Sequence, residues 1–336
     1  MRTEHSPPPK VITSMNPTYS DHIPVLFEAV MSHAHVKAGE VWVDCTLGRG
    51  GHTEGLLRRG AQVIAFDRDE EALFECQTRL KSFIEDGQLR LIHSDFRALQ
   101  AVLEMHKVNR VDGVLADLGV SSPQLDRPER GFSFMSSGPL DMRMDPSQGL
   151  SAAEWLSEHD VHELERVLRR YGEEPRARAL SRIIKAWSDE GGGDTLSLAQ
   201  LIEAATPMKI RRQQKKHPAT RSFQALRIAV NDELGALEDL LEALPRVLNL
   251  GGKALLISFH SLEDRAIKHA YKALSEAPAP PRRGLPPPPS APPEFMMEPR
   301  KGVVADEEEL THNPRARSAR LRIITRIRDE GERREI

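Results

Sequence analysis

The sequence predicts an α/β protein whose parallel sheet is interrupted by an all-helical insertion. Short apolar segments alternate with helical segments from about residue 41 to residue 118, and helical patterns alone then follow. A strand pattern returns only at residue 253. Strands that alternate with helices form parallel sheets covered on both faces, so the interruption indicates a second, helical unit.

The first half of the predicted sheet consists of four short apolar strands. They are predicted at residues 41–46, 62–67, 89–93 and 111–118. The segments between them are predicted to be helices, at residues 53–59, 69–86 and 99–106. In the second of these helices the apolar residues recur at helical spacing along one face.

The middle of the chain carries no strand pattern. From Gly119 to about Met144 the chain is rich in Ser, Pro, Gly and Asp, which is typical of a long functional loop. Helices are then predicted around residues 180–187 and 198–205, with a break at the EGGGD segment, residues 190–194. One long helix is predicted to carry a stripe of apolar residues from Leu226 to Leu244.

The remaining pattern predicts the end of the sheet and the domain organisation. A strand is predicted at residues 253–260 and a helix at 261–274, and residues 303–304 and 321–327 are predicted to supply the last two strands. The predicted domains are a disordered tail at 1–20, a discontinuous sheet domain at 21–124 and 221–336 with a proline-rich loop at 278–293, and a helical insertion at 125–220.

Composition excludes several classes of protein. The 336 residues are 39% hydrophobic and 29% charged, which is ordinary for a soluble globular protein. No stretch approaches the ~20 apolar residues of a membrane span, and the N-terminus lacks the apolar core of a signal peptide. The only cysteines are Cys45 and Cys76, which argues against a disulfide framework or a zinc cluster. We therefore expect a reducing, cytoplasmic location, no membrane partner and no metal.

Any binding to nucleic acid must use local patches, because the formal net charge is −3. Two segments carry basic residues and no acid, namely residues 209–216 (KIRRQQKK) and residues 315–328 (RARSARLRIITRIR). Each patch alone is equally compatible with a solvated helix face or loop.

A glycine-rich turn between the first strand and the first helix predicts a cofactor site. Gly48, Gly50 and Gly51 allow the backbone to approach a ligand closely, and a helix N-terminus follows with free N–H groups. Asp67 ends the next strand, where a carboxylate can accept hydrogen bonds from both ribose hydroxyls.

The glycine turn alone does not identify the cofactor. In the nicotinamide dinucleotide fingerprint GxGxxG the third glycine position falls here on Thr53. Asp117 discriminates better, because it ends the fourth strand, where ligands of open α/β sheets lie. An acid at that place, followed by a Ser-Pro turn, suits a donor with an ammonium group and a sulfonium better than a hydride donor.

Eight motifs resemble those of the ribosomal small-subunit RNA methyltransferase H family, also called the MraW methylases, over residues 22–325. They are HIPVL at 22–26, GRGGH at 48–52, DLGVSSPQLD at 117–126, RGFSF at 130–134, PLDMRMD at 139–145, KHPATRSFQALRI at 216–228, ISFHSLEDR at 257–265 and NPRARSARLR at 313–322.

The resemblance implies a Rossmann-like methyltransferase that uses S-adenosyl-L-methionine and carries an inserted helical domain for its RNA substrate. The implied reaction methylates the exocyclic N4 of a cytidine in the decoding centre, at the P site, of 16S rRNA within the small ribosomal subunit. The implied cofactor contacts are Gly50, Gly51, His52, Asp67, Phe96, Asp117 and Gln124. Asp117 is also the candidate catalytic residue, because it can position the target amine.

Other roles remain open for two of these contacts, and two further residues are also candidates for the site. Asp67 could be a helix N-cap, and Phe96 could be a core residue. Asp95, just before Phe96, could instead contact the adenine through its amino group. His260, after the last parallel strand, is either a substrate contact or the first residue of a helix.

Two other functions also remain open from the residues. The same βαβ unit suits an NAD-dependent oxidoreductase. A non-catalytic RNA-binding factor in ribosome assembly could retain such a pocket, although the intact Gly50, Gly51, Asp67 and Asp117 argue against it.

Overall fold

A computed structural model describes residues 24–276 and 292–329. The predicted tail at residues 1–20 lies outside these ranges, as does the proline-rich segment 278–293 except for its last two residues. His22 and Ile23 of the first motif also lie outside them.

The described residues form a seven-stranded sheet in the order β3-β2-β1-β4-β5-β7-β6. The strands are β1 Val41–Asp44, β2 Gln62–Asp67, β3 Leu89–His93, β4 Val111–Asp117, β5 Leu248–Ser258, β6 Phe295–Met297 and β7 Arg320–Arg326. The first five strands are parallel, β7 is antiparallel to β5, and β6 is antiparallel to β7. The predicted α/β fold class, a Rossmann-like sheet, is confirmed.

The strand order reverses between β1 and β4, which is where open α/β sheets bind ligands. Asp44 pairs with Leu115 in the register, and Asp117 pairs with Ile257. The carboxyl ends of β1, β4 and β5 therefore meet at one edge of the sheet.

Helices cover the sheet and fill the middle of the chain. They are α1 Phe27–Ala34, α2 Gly51–Leu57, α3 Glu70–Arg79, α4 Lys81–Glu85, α5 Leu99–Met105, α6 Ser122–Asp126, α7 Ala152–Glu158, α8 Val161–Arg170, α9 Ala177–Asp189, α10 Thr195–Ala205, α11 Met208–Gln213, α12 Thr220–Asn231, α13 Glu233–Val247, α14 Ser261–Ser275 and α15 Glu307–His312. Short 3₁₀ turns occur at Phe96–Ala98, Pro128–Arg130 and Pro314–Ser318. In the described ranges, no helix is long and apolar enough to cross a membrane.

The buried apolar residues form three clusters. Successive residues of β1 enter different clusters, Trp42 on one face of the sheet and Val43 on the other, as the two-residue period of a strand requires. The helices α1–α3 cover the first face, and α5, α13 and α14 cover the second. The third cluster contains residues of α7, α8, α9, α10 and α12, so these helices pack around a core of their own.

The predicted long helix at residues 226–244 is wrong, because the structure has two helices there. Asp232 separates α12 from α13 and adopts a left-handed conformation with φ 45°. Phe223 and Leu226 of α12 pack in the helical core, whereas Leu237 of α13 packs on the sheet. The apolar stripe therefore belongs to two helices, of which α12 packs in the helical core and α13 packs on the sheet.

Two further predictions about elements need correction. The helix predicted at 69–86 is broken at Leu80 into α3 and α4. The strand predicted at residues 303–304 is wrong, since Val303 makes an isolated bridge to Leu321. The edge strand that pairs with β7 is β6. The chain turns at Gly302, which has φ 73°, so the extended pairing does not continue there.

Candidate active site

A cavity of about 430 Å³ lies at the edge of the sheet where β1 and β4 diverge. Its size is within the usual range for small-molecule sites. Six of the seven predicted cofactor contacts line it, and these are Gly51, His52, Asp67, Phe96, Asp117 and Gln124.

The glycine turn shapes one wall of this cavity through its backbone. Gly48 and Gly50 have φ 51° and 68°, a conformation that side-chain-bearing residues rarely adopt. A Cβ on Gly51 would collide with the ring of Pro24. Gly50 does not line the cavity: a Cβ on it would lie 2.9 Å from the Cys76 sulfur, so its open side faces α3.

The carboxylate of Asp67 accepts two hydrogen bonds from the protein and retains further acceptor sites. One oxygen accepts a hydrogen bond from Gly48 N at 2.7 Å and the other from Asp69 N at 2.8 Å. Burial raises the pKa of Asp67 to about 6. An ionised carboxylate offers about four acceptor sites, so two remain, as a pair of ribose hydroxyls would need. The N-cap alternative is wrong, because Asp69 caps α3 by accepting from Glu71 N.

Phe96 and Asp95 follow β3 but face different surroundings. Phe96 is partly buried, lines the cavity and also packs against the core of the sheet. Asp95 pairs with Arg68 and accepts from Arg97 N at 2.9 Å, and it is not among the residues that line the cavity. Asp95 therefore stabilises the turn between β3 and α5.

Asp117 ends β4 with its side chain toward the cavity. Its Oδ1 is inaccessible to solvent and has no hydrogen-bond partner among the described residues, while Oδ2 lies 3.7 Å from His52 Nε2. Burial, followed by the charges of Asp44 and Glu263, raises the pKa of Asp117 well above its usual range. His52 itself is buried and its ring stacks on Phe27.

Gln124 ties the Ser-Pro loop to the rest of the site. Its Oε1 accepts from Ser121 N at 2.9 Å, and its Nε2 donates to Asp69 at 3.2 Å. Arg130 donates to the same Asp69 oxygen at 2.7 Å. Beside it, the Ser122 hydroxyl is buried and has no partner among the described residues.

Sequence reasoning missed the acidic and basic residues of the opposite wall. Arg227 of α12 donates to both oxygens of Glu233, at 2.7 and 2.8 Å, and both residues line the cavity. Glu263 also lines it and accepts from Phe259 N at 2.8 Å. These residues lie far from the glycine turn in sequence, and only the tertiary fold brings them to it.

Glu263 and His260 belong to the start of α14. His260 accepts from Glu263 N through Nδ1 at 3.4 Å and is the N-cap, so the helix-start reading of His260 is confirmed. Burial alone would raise the pKa of Glu263, but His260 and the charge of Arg227 hold it below its usual value. Glu233, His260 and Glu263 have possible metal-ligand atoms within 4.8 Å of one another, yet Arg227 already neutralises Glu233.

The cavity fits a nucleoside-containing cation. Asp67 retains acceptor capacity for a ribose, while Asp117 Oδ1 and the Ser122 hydroxyl lack partners among the described residues. The acidic groups around Asp117 suit an ammonium group and a sulfonium. The fold and the site together define a Rossmann-like methyltransferase that depends on S-adenosyl-L-methionine.

Comparison with known proteins identifies the family. Residues 19–327 match the model of the MraW methylase family, and the chain belongs to that family. A relative from Anaeromyxobacter dehalogenans is 49% identical over 308 residues, covering 91% of this chain and 98% of the relative. One from Limosilactobacillus fermentum is 43% identical over 312 residues, covering 92% and 99%. Both relatives carry the name ribosomal RNA small subunit methyltransferase H.

Solved structures of similar fold are more distant. An rRNA methylase from Streptococcus thermophilus is 11% identical, with 89% of this chain and 93% of that chain covered and a TM-score of 0.37. This likeness is too remote to inform the site. Family membership makes the protein an enzyme that uses S-adenosyl-L-methionine, which excludes the NAD-dependent oxidoreductase and the non-catalytic factor.

Proposed function

We propose that this enzyme methylates the exocyclic N4 of a cytidine in the decoding centre, at the P site, of 16S rRNA within the small ribosomal subunit. The observation that carries the chemistry is Asp117 Oδ1, which lacks a partner among the described residues beside the glycine turn and Asp67. The names of the relatives support the rRNA substrate. The proposal includes a cytoplasmic location, which the two free, buried cysteines support.

The donor is proposed to lie across the ends of β1, β2 and β4. Gly51 and His52 face its methionine end, and Gly50 acts by shaping the turn. Asp67 accepts from the ribose hydroxyls. Phe96 lies beside the adenine, and Asp117 with Gln124 completes the methionine side.

The target amine is a poor nucleophile, because its lone pair is delocalised into the cytosine ring. When bound, S-adenosyl-L-methionine supplies a methyl group that is already activated by a sulfonium. The protein therefore contributes mainly alignment, which is worth several kcal/mol of barrier reduction. We assign Asp117 to accept a hydrogen bond from N4, which holds the amine in line and stabilises the positive charge that develops on it. The product nitrogen then loses its proton to water.

The RNA is proposed to contact the helical insertion, residues 125–220. In the basic patch at 209–216, Arg211 pairs with Glu203, but Lys215 and Lys216 are exposed. The second patch, residues 315–328, is a poorer candidate than its sequence indicates. Arg322 is buried against Asp264, and Arg326 is buried against main-chain carbonyls.

The proposed reaction is tested in cells that lack this protein. Mass spectrometry of nucleosides from small-subunit rRNA should show loss of one N4-methylcytidine, which returns when the wild-type protein is supplied. A variant with Asp117→Ala should fail to restore it. Unchanged N4-methylcytidine in the deficient cells would contradict the proposal.

A further inference from the structure

A second cavity, of about 730 Å³, lies beside the donor cavity beyond the end of β5. The segment from Gln213 to Arg221 and the start of α14 form its walls, and we call it the basic groove. Phe259 and Ser318 line both cavities. A ligand in the basic groove would therefore lie next to the site of methyl transfer, with Phe259 between the two.

The basic groove carries an excess of unpaired positive charge. Lys215, Lys216 and Arg221 are exposed, and none has an ion pair among the described residues. Its two acids are already neutralised: Glu173 pairs with Arg265 at 2.7 Å, and Asp264 pairs with Arg322 at 2.7 Å. Among the described residues that line the groove, a polyanion would meet these three cations and no carboxylate without an ion-pair partner.

We propose that the basic groove binds the sugar–phosphate backbone of the RNA strand next to the target nucleotide, so that the target base enters the donor cavity past Phe259. The inference rests on the proposed RNA substrate and adds the path by which that substrate reaches the donor. Lysine and arginine bind phosphates without reading sequence. Target bases of RNA are recognised when they are splayed out of their stack.

Phe259 is held where it can guide such a base. It follows β5 directly, and a Cβ on Gly119 would lie 3.3 Å from its ring, so the ring is packed against the loop after Asp117. A nucleobase that stacks on this ring would lie beside the carboxyl that we assign to its amine. Stacking on an aromatic side chain contributes about 1–3 kcal/mol per base.

Gln214 favours RNA over other polyanions. Gln214 lines the groove, and its Oε1 is inaccessible to solvent in this structure and has no hydrogen-bond partner among the described residues. A ribose 2′-hydroxyl is a donor that would satisfy this acceptor, and the 2′-hydroxyl is what distinguishes RNA from DNA. DNA lacks this hydroxyl and would leave the acceptor without that donor.

The test compares two double variants of the full-length enzyme. The first is Lys215→Ala with Lys216→Ala, in the groove. The matched control is Lys37→Ala with Arg90→Ala, two exposed residues near the amino ends of β1 and β3, at the opposite edge of the sheet. Each protein is assayed for binding to a single-stranded RNA covering the decoding-centre sequence, to DNA of the same sequence, and to S-adenosyl-L-methionine.

The groove variant should bind the RNA about tenfold or more weakly, and the slope of log affinity against log salt should fall by about 1–2. Its affinity for S-adenosyl-L-methionine and the behaviour of the control should match the wild type. Phe259→Leu should lower the methylation rate at saturating donor, and Phe259→Trp should retain most of it. The wild type should prefer RNA to DNA, and Gln214→Leu should reduce that preference.

The outcomes separate this inference from the proposed function. Unchanged RNA affinity and salt slope in the groove variant would overturn the inference even if the wild type makes N4-methylcytidine. Retained RNA affinity with lost binding only to whole subunits would assign the groove to a ribosomal protein and also overturn it. RNA binding that the groove substitutions abolish would support the groove even if the methyl group mapped to another atom.

Discussion

Asp44, Asp67 and Asp117 end the neighbouring strands β1, β2 and β4, and the first is buried while the other two are partly buried. Burial raises the pKa of Asp44 and of Asp67 to about 6 and raises the pKa of Asp117 well above its usual value. Asp44 accepts from Thr46 N and the Thr53 hydroxyl and does not line the donor cavity, whereas Asp67 and Asp117 line it and have acceptor capacity left. A cationic donor favours their ionised forms, so donor binding and proton release are coupled.

The affinity for S-adenosyl-L-methionine should fall on acidification. Ribose hydroxyls donate best to an ionised Asp67, and its pKa of about 6 means that the carboxylate is lost as the pH drops below that value. The dissociation constant, measured by calorimetry, should be nearly constant above pH 7 and rise by up to about tenfold per pH unit below pH 6.

The matched variant for this prediction is Asp67→Asn. It removes the titrating group and a charged acceptor, so it should bind the donor about 10–100-fold more weakly at pH 8. Its dependence on pH should be shallower than that of the wild type, with a remainder from Asp44 and Asp117. An identical pH dependence in the two proteins would remove Asp67 from the donor site.

Asp117→Ala should abolish methyl transfer while the fold survives. The substitution removes a carboxyl whose Oδ1 has no partner among the described residues, so the melting temperature should change little. The loss of a preorganised acceptor should lower the rate by about 10²–10³-fold or more. The control is Asp126→Ala in the same motif, where the exposed carboxyl pairs with Arg315. Full activity of the Asp117 variant would refute its assignment.

The sequence locates those site residues that end strands or form the turn, because local pattern suffices for them. Asp67 and Asp117 follow apolar runs directly, and the placement of carboxyl ends at one edge is a property of parallel sheets. Arg227 and Glu263 lie in two of the family-like motifs, but their place in the site could not be predicted, since no local pattern relates α12 and α14 to the glycine turn. The orientation of Gly50 toward Cys76 likewise depends on how α3 packs.

The break between α12 and α13 is the element that joins the helical core to the sheet. Asn231 donates to Met142 O at 2.7 Å and accepts from Met144 N at 2.7 Å, and Arg68 donates to Asn231 O at 2.9 Å. Asn231, the last residue of α12, therefore bonds to the loop of the PLDMRMD motif, residues 139–145, and to Arg68, the residue after β2. The predicted domain boundary at residue 220 stays a prediction, although α12 contributes to the helical core.

Substitutions at Asp232 should distinguish two helices from one. In the left-handed conformation Asp232→Val should lower the free energy of unfolding by about 1–2 kcal/mol relative to Asp232→Gly. Both variants lose the ion pair with Arg97, so that contribution cancels. Denaturant melts of the two variants give the comparison. A continuous helix would reverse the order, because glycine costs more than valine inside a helix.

Strand β7 shows why a run of arginines is not a binding surface by itself. Arg326 is 1% exposed and donates to Pro245 O and Leu248 O at 2.8 and 2.9 Å. Arg326→Met should therefore lower the free energy of unfolding by about 2–4 kcal/mol, since it leaves buried carbonyls unpaired. Arg328→Met, at an exposed residue of the same patch, is the control and should change it little. Equal effects would argue against this structural role.

At the scale of the whole molecule, the sheet and the helical core meet around one edge that carries two adjacent cavities. The alternation of strands and helices predicts the parallel half of the sheet, since that pattern is local. The strand predicted at residues 321–327 agrees with β7, whereas β6 could not be predicted, because it is only three residues long and follows a segment without periodicity. The apolar stripe from Leu226 to Leu244 wrongly predicted one helix, because its first half packs in the helical core and its second half packs on the sheet.

The proposed reaction is tested by methyl transfer from the purified enzyme to small ribosomal subunits and to free 16S rRNA from cells that lack it. Labelled S-adenosyl-L-methionine and nucleoside mapping give the position and the atom. We expect a single N4-methylcytidine in the decoding centre, and none with Asp117→Ala. A methyl group on another atom or base, or no transfer to either substrate, would contradict it.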